Sequence, residues 1–193
     1  MTGSSTTSAT SDEASGSADF VMISYPGADY LVNREEIISS VYHGGEIPRC
    51  ENGVIGAMAY NQRTIPVISL DDHLGQHFGE RPAPDREVLL FVRGSGGAAP
   101  FPRIKKKSDG GEVDTSVIAL RASGAAEILS LPLKELRPLP RGVRKELAKH
   151  GLLAVRFPEA ARRIQYFIDM KTVIILSIIQ HHNRQARNEN PDR

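Results

Sequence analysis

The stretch Gly53–Leu70, GVIGAMAYNQRTIPVISL, decides the reading of the fold. Two apolar runs, one around Val54-Ile55 and one at Ile65-Pro66-Val67-Ile68, flank the polar insert Tyr60-Asn61-Gln62-Arg63. Runs of this length, rich in β-branched residues and separated by turn formers, predict two strands joined by a hairpin. Pro66 lacks a backbone donor, which predicts an edge strand or a bulge at that point. The insert is either a solvated turn or a set of side chains offered to a partner.

Upstream, Phe20-Val21-Met22-Ile23-Ser24-Tyr25, Pro26-Gly27-Ala28-Asp29 and Tyr30-Leu31-Val32 predict another hairpin, turning at Pro-Gly. Asn33 either caps a short helix or begins a bend into a third strand over Ile37–Tyr42, and the β-branched and aromatic content favours the strand. Downstream, Asp71-Asp72-His73-Leu74-Gly75 reads as turn-rich, and a Pro-rich connection at 81–84 leads to the strand Val88–Val92. The Gly-, Pro- and Lys-rich segment Arg93–Gly111 reads as a long loop.

Strands resume at Ser116–Leu120 and Glu127–Leu131, and a helical segment is expected at Gly142–His150. A last strand pair lies at Gly151–Phe157 and Arg163–Asp169, and a terminal helix runs from Met170 to about Arg187. Short strands at this spacing predict a mainly β chain of small barrels or a sandwich.

The chain of 193 residues is 40% hydrophobic and 24% charged, long enough for one cored domain or two small barrels sharing an interface. Its formal net charge of +1 supplies no overall field toward nucleic acid. The single cysteine, Cys50, excludes an internal disulfide and is compatible with a reducing cytosol. Met1–Ala18, made of Ser, Thr, Ala and Gly with few charges, lacks the apolar block of a signal peptide and is expected to be a disordered tail. The apolar run Val173–Ile179 is too short to cross a bilayer, which takes about 20 residues.

Motifs of catalysis are weak. His73 and His77 have the spacing of two zinc ligands on one helix face, but Leu74-Gly75-Gln76 between them provides no glutamate base, and two loop histidines are the simpler reading. Gly94-Ser95-Gly96-Gly97 lacks the Lys and Ser or Thr of a phosphate loop. Lys105-Lys106-Lys107 has no interleaved aromatic residues for nucleic acid and reads as a solvated loop. His181-His182 fits the exposed end of the last helix. No nucleophile elbow, certified carboxylate pair, metal set or cofactor motif is present.

One phrase connects these strands to a known family. Pro48-Arg49, Val54-Ile55-Gly56 and Ile65-Pro66-Val67-Ile68-Ser69-Leu70 resemble, in order and without a gap, the signature of the CheW-like family. There, proline, a spacer, a hydrophobic pair and glycine precede Asn-Leu-Arg-Gly and a strand reading Pro-Val-Ile-Asp-Leu. Tyr30-Leu31-Val32 with Ile37 and Val41, Leu74-Gly75, Glu127–Pro132 and Tyr166-Phe167-Ile168-Asp169 extend the likeness over about Asp19–Ile175. Departures are clear: Asn61-Gln62 stand at Arg-Gly, Ser69 at the acidic position, and Ala122-Ser123-Gly124-Ala125 at a Val-Asp-x-Val phrase of the second barrel.

The resemblance implies two SH3-like five-stranded β-barrels packed together, divided near 85–115, with a C-terminal helix whose end and tail span 176–193. It implies a non-enzymatic cytoplasmic adaptor, without cofactor or metal, that couples a CheA-type histidine kinase to the tip of a chemoreceptor, with other CheW-like domains as further partners. Neither nucleic acid nor membrane insertion is implied. The alternative is a stand-alone binding module for another helical or peptide partner. The protein-contacting residues implied are Ile37, Val41, Gly56, Tyr60, Asn61, Gln62 and Arg63, with Tyr60 as a flat anchor and Arg63 as a displaced charge.

Overall fold

The structure, a computed structural model, describes residues 16–25, 27–43, 55–78, 87–94, 114–123, 126–159 and 163–189. Among the described residues eleven strands form two sheets, and the chain visits the first sheet, then the second, then the first again. Strands β1 (Ser17–Tyr25) and β2 (Ala28–Asn33) open the first sheet as the expected hairpin, with Gly27 at φ 91° in its turn. A left-handed φ is what glycine supplies without steric cost. Asn33 then does both things its position allowed. Its side chain accepts from the Glu35 amide to cap a single 3-10 turn, Arg34–Glu36, and β3 (Ile37–His43) follows at once.

The second sheet has the order β3-β6-β7-β5-β4, with β4 at Ile55–Tyr60, β5 at Arg63–Ser69, β6 at Glu87–Arg93 and β7 at Val117–Ser123. β5 is an interior strand, so Pro66 marks no edge. Its ladder to β4 is continuous, while the parallel ladder to β7 begins only at Val67. Among the described residues, then, Pro66 has no ladder partner on that flank of the strand, which spares it a missing donor.

The first sheet closes with β8 (Ala126–Pro132), the two-residue β9 (Arg137–Pro138), β10 (Leu152–Arg156) and β11 (Ile164–Ile168), in the order β8-β1-β2-β11-β10-β9. Strands β6 and β7, which flank residues 95–113 in the chain, pair directly within the second sheet. The chain changes sheets at 34–36 and again between Ser123 and Ala126.

Each sheet is apolar on both faces, which gives three apolar layers. Ile65, Val67, Leu89, Phe91 and Ala119 fill one side of the second sheet, and Phe20, Met22, Leu31 and Leu131 one side of the first. A larger cluster including Ile23, Val32, Ile68, Leu90, Leu120 and Ile168 lies where the sheets face each other. Tyr60 of β4 stacks on Phe91 of β6 at a centroid distance of 4.2 Å. Three strand spacings of a flat sheet would separate those strands by about 14 Å, so the sheet curls around its own small core, as a barrel does.

Among the described residues there are also three α-helices, α1 (Leu70–Phe78), α2 (Arg141–Ala148) and α3 (Met170–Glu189). The turn expected at Asp71–Gly75 is α1 instead. Ser69 caps it, accepting the Asp72 amide at 3.1 Å, and Asp71 and Asp72 place negative charge at the positive end of the helix dipole. α3 buries Met170, Val173, Ile174, Ser177 and Ile178, a helical stripe, against the layer between the sheets, and runs unbroken through Ile175. Gly151, at φ 80°, ends the approach to β10, and a Cβ there would meet Val173 Cγ2 at 2.9 Å. No helix among the described residues is long and apolar enough to cross a membrane.

Candidate functional site

The hairpin of the opening stretch turns on Asn61 and Gln62, both left-handed at φ 46° and 64°, between the paired Tyr60 and Arg63. Two positive φ values make the type I′ geometry that matches the twist of flanking strands. Asn61 and Gln62 are exposed at the tip. Arg63 is exposed too, but its Nη1 lies 2.7 Å from Asp114 Oδ2, and the Asp114 amide donates to the Thr64 carbonyl at 2.7 Å. Hydrogen bonds from the Ser116 side chain and amide, then from Arg63, hold the Asp114 carboxyl down at about 2. The loop to β7 therefore fastens Arg63 in place. Tyr60 gives its ring to Phe91, so part of its surface serves the core of the second sheet instead of a partner.

The other residues expected at a contact separate. Ile37 is 5% exposed and belongs to the core between the sheets, which removes it from any docking surface. Ile37 follows the capped turn at Arg34–Glu36, and a register irregularity between Ile37 and Ser39 puts it on the opposite face of β3 from Val41. Val41 stays available at 49% exposure on β3, an edge strand. Gly56 pairs with Val67 in a ladder with no register shift, so it marks no bulge.

Two residues that the sequence reading passed over stand nearest to a docking surface. Tyr42 on β3 pairs with Val88, and Ile128 on β8 pairs with Val21, and both partners belong to the cluster between the sheets. Tyr42 and Ile128 therefore lie on the faces that the sheets turn toward each other, yet at strand edges, where they stay 60% and 66% exposed. The Tyr42 hydroxyl donates to the Ala126 carbonyl across the seam at 3.1 Å. Alternation in Glu127-Ile128-Leu129-Ser130-Leu131 was the available signal for Ile128, but that it lies at an edge depends on tertiary pairing.

A buried polar node joins the sheets. Asp71, at the start of α1, accepts from the Tyr25 hydroxyl of β1 and from both the amide and the hydroxyl of Ser123 at the end of β7. Burial first, then the charge and hydrogen bond of Asp71, push the Tyr25 hydroxyl well above its usual range. The family's acidic position holds Ser69 here, and Ser69 works as a helix cap two residues before the acid that is buried.

The remaining candidates have structural roles or fall elsewhere. His73 is fully buried on α1, with Nε2 at 3.1 Å from the carbonyl of His150, an anchor between α1 and the end of α2. Among the described residues no His, Cys, Asp and Glu side chains gather as a metal set. The side chains of His77, His181 and His182 lie outside the described residues, as do most of the N-terminal tail, Cys50, Pro48-Arg49, Ser95-Gly96-Gly97, Lys105–Lys107 and Gly124-Ala125.

No protein-family model matches the chain, and no curated protein matches it in sequence. Among solved structures it is similar to scaffolding protein TtCheW from Thermoanaerobacter tengcongensis, with a TM-score of 0.57 at 13% identity over 82% of this chain and 88% of that one. At that identity the likeness concerns the backbone. The two sheets and terminal helix described above accordingly form a CheW-like fold.

Proposed function

We propose that the chain is a non-enzymatic adaptor of chemotaxis-type signalling, coupling a CheA-type histidine kinase to the cytoplasmic tip of a chemoreceptor, with other CheW-like domains as further neighbours. Its place is the cytoplasm, at membrane-associated receptor arrays. The observation that carries this reading is the apolar seam where Tyr42 and Ile128 stand exposed at facing sheet edges within a CheW-like fold. A helical hairpin presents apolar anchors every three or four residues, and a seam flanked by large exposed side chains receives them. Val41, Gly56, Asn61, Gln62 and Arg63 extend the contact surface on the second sheet, and Tyr60 supports it through Phe91.

A second reading, a stand-alone module for another helical partner, has an observation of its own. Asn61-Gln62 stand where the family carries Arg-Gly, and Arg63 is already bonded to Asp114. An amide does not reproduce a bidentate guanidinium. The test is size-exclusion binding of the purified chain to a CheA-type kinase and to a receptor cytoplasmic fragment, separately and together, with Ile128→Asp as the variant. A ternary complex from which Ile128→Asp loses only the receptor is the expected outcome. Binding of the kinase alone would favour the second reading, and binding of neither would end the coupling role.

A further inference from the structure

The formal charge of +1 conceals a strong segregation. Between Leu133 and Leu153 the six residues Lys134, Arg137, Arg141, Arg144, Lys145 and Lys149 stand against Glu135 and Glu146, a surplus of four that leaves the rest of the chain at −3. Both acids of this segment are occupied: Arg156 lies 2.6 Å from Glu135, and Lys149 lies 2.9 Å from Glu146. Arg144 turns its guanidinium onto the Leu139 carbonyl at 3.0 Å. Lys134, Arg137, Arg141 and Lys145 remain exposed and meet no carboxylate among the described residues.

These cations share one border of the molecule. Among the described residues β9 is the outermost strand of the first sheet, pairing with Ala154 and Val155 of β10, and α2 packs on β10. Residues 141–146 of α2 are all exposed, and no residue of the helix is fully buried. Three large apolar side chains of the same segment are exposed, Leu133 at 49%, Val143 at 46% and Leu153 at 49%.

We infer that this border, formed by β9, β10 and α2, binds the surface of a bilayer containing anionic phospholipid, peripherally and with α2 lying in the headgroup region. The arrangement favours a laterally continuous negative surface over a single acidic group. The free cations are spread along a strand, a turn and a helix instead of converging into a fork, as phosphopeptide recognition requires. Exposed aliphatic side chains interleaved with Lys and Arg suit the boundary between headgroups and acyl chains, where long basic stems reach outward to the phosphates. The inference stands apart from the coupling role, since it uses neither the seam nor the β4–β5 hairpin.

The test is flotation of the full chain with phosphatidylcholine vesicles, with and without 30 mol% phosphatidylserine, at about 0.1 M and 0.5 M salt. Binding that needs phosphatidylserine and fades at the higher salt is expected. The triple variant Arg137→Gln, Arg141→Gln, Lys145→Gln should bind about 100-fold more weakly, at roughly fivefold per basic residue, with an unchanged circular dichroism spectrum. Val143→Ser should weaken binding without altering its salt dependence, and Lys105→Gln, Lys106→Gln, Lys107→Gln should bind as the parent does. Absence of phosphatidylserine-dependent flotation, or a triple variant that floats like the parent, would overturn the inference. So would capture by an acidic polypeptide such as polyglutamate with no capture by vesicles.

Discussion

Replacing Asp71 by alanine tests whether the polar node between the sheets holds them in register. The substitution strands three buried donors at once: the Tyr25 hydroxyl, the Ser123 amide and the Ser123 hydroxyl. Each unpaired buried donor costs about 1–3 kcal/mol, and removing the acid also relieves the cost of having buried it. A net loss of about 3–5 kcal/mol follows. For a chain of this length that lowers Tm by roughly 6–20 °C, at about 2–4 °C per kcal/mol. Tyr25→Phe removes one donor and leaves the acid its two Ser123 bonds, so it should cost about 1–2 kcal/mol. In the Asp71→Ala background the same change should instead stabilise by about 1–2 kcal/mol, since it removes a buried donor that has already lost its acceptor. Urea unfolding of the four proteins of this cycle measures the coupling, expected at about 2–4 kcal/mol. An Asp71→Ala protein within about 1 kcal/mol of the parent, or a strictly additive double mutant, would refute the node.

Two further outcomes follow from local geometry. Gln62→Gly should raise stability by about 0.5–1 kcal/mol, because a left-handed conformation costs a non-glycine residue about 1–2 kcal/mol and glycine's extra freedom in the unfolded chain returns part of that. Glu36→Gln should raise Tm near pH 7 and change it little near pH 4. Burial first, then the neighbouring Asp169, raise the Glu36 pKa above its ordinary 4.5, so the folded state keeps a proton that the unfolded chain has released. Stability present below 4.5 is therefore lost as pH rises through the folded value, and the amide escapes that loss. A Tm difference that does not change between the two pH values would count against this assignment.

Much of the strand order could be read because β-branched and aromatic runs alternate with Gly, Pro, Asn and Asp. Both early hairpins, the last strand pair and the terminal helix lie where the residues placed them. α1 was missed because Asp71-Asp72 are common in turns, and only the Ser69 cap together with the apolar pair Leu70 and Leu74 marks a helix there. Pro66 misled for a different reason. A proline excludes a ladder donor on one side, and whether that side is an edge or merely the start of a neighbour's ladder is decided by the partner strand. Of the candidate contact residues, Ile37 and Val41 sit four apart on one strand and looked equivalent. A register irregularity between Ile37 and Ser39 breaks that equivalence, burying the first and exposing the second.

The hairpin tip carries the sharpest conflict between local propensity and retained sequence. Gln62 occupies a left-handed position where glycine would be relaxed, while Arg63 is fixed by Asp114 and Tyr60 by Phe91. Side chains ordered before a partner arrives spare it about 0.5–1.5 kcal/mol each in lost rotamer freedom, so a rigid tip is suited to binding even at some cost in stability. The Gln62→Gly protein separates the two explanations for that cost. If it is more stable and still binds the kinase or receptor fragment as the parent does, Gln62 is only a poor turn residue. If it is more stable and binding falls, the strained side chain itself belongs to the contact, and the Asn61-Gln62 departure is a change of specificity instead of a loss.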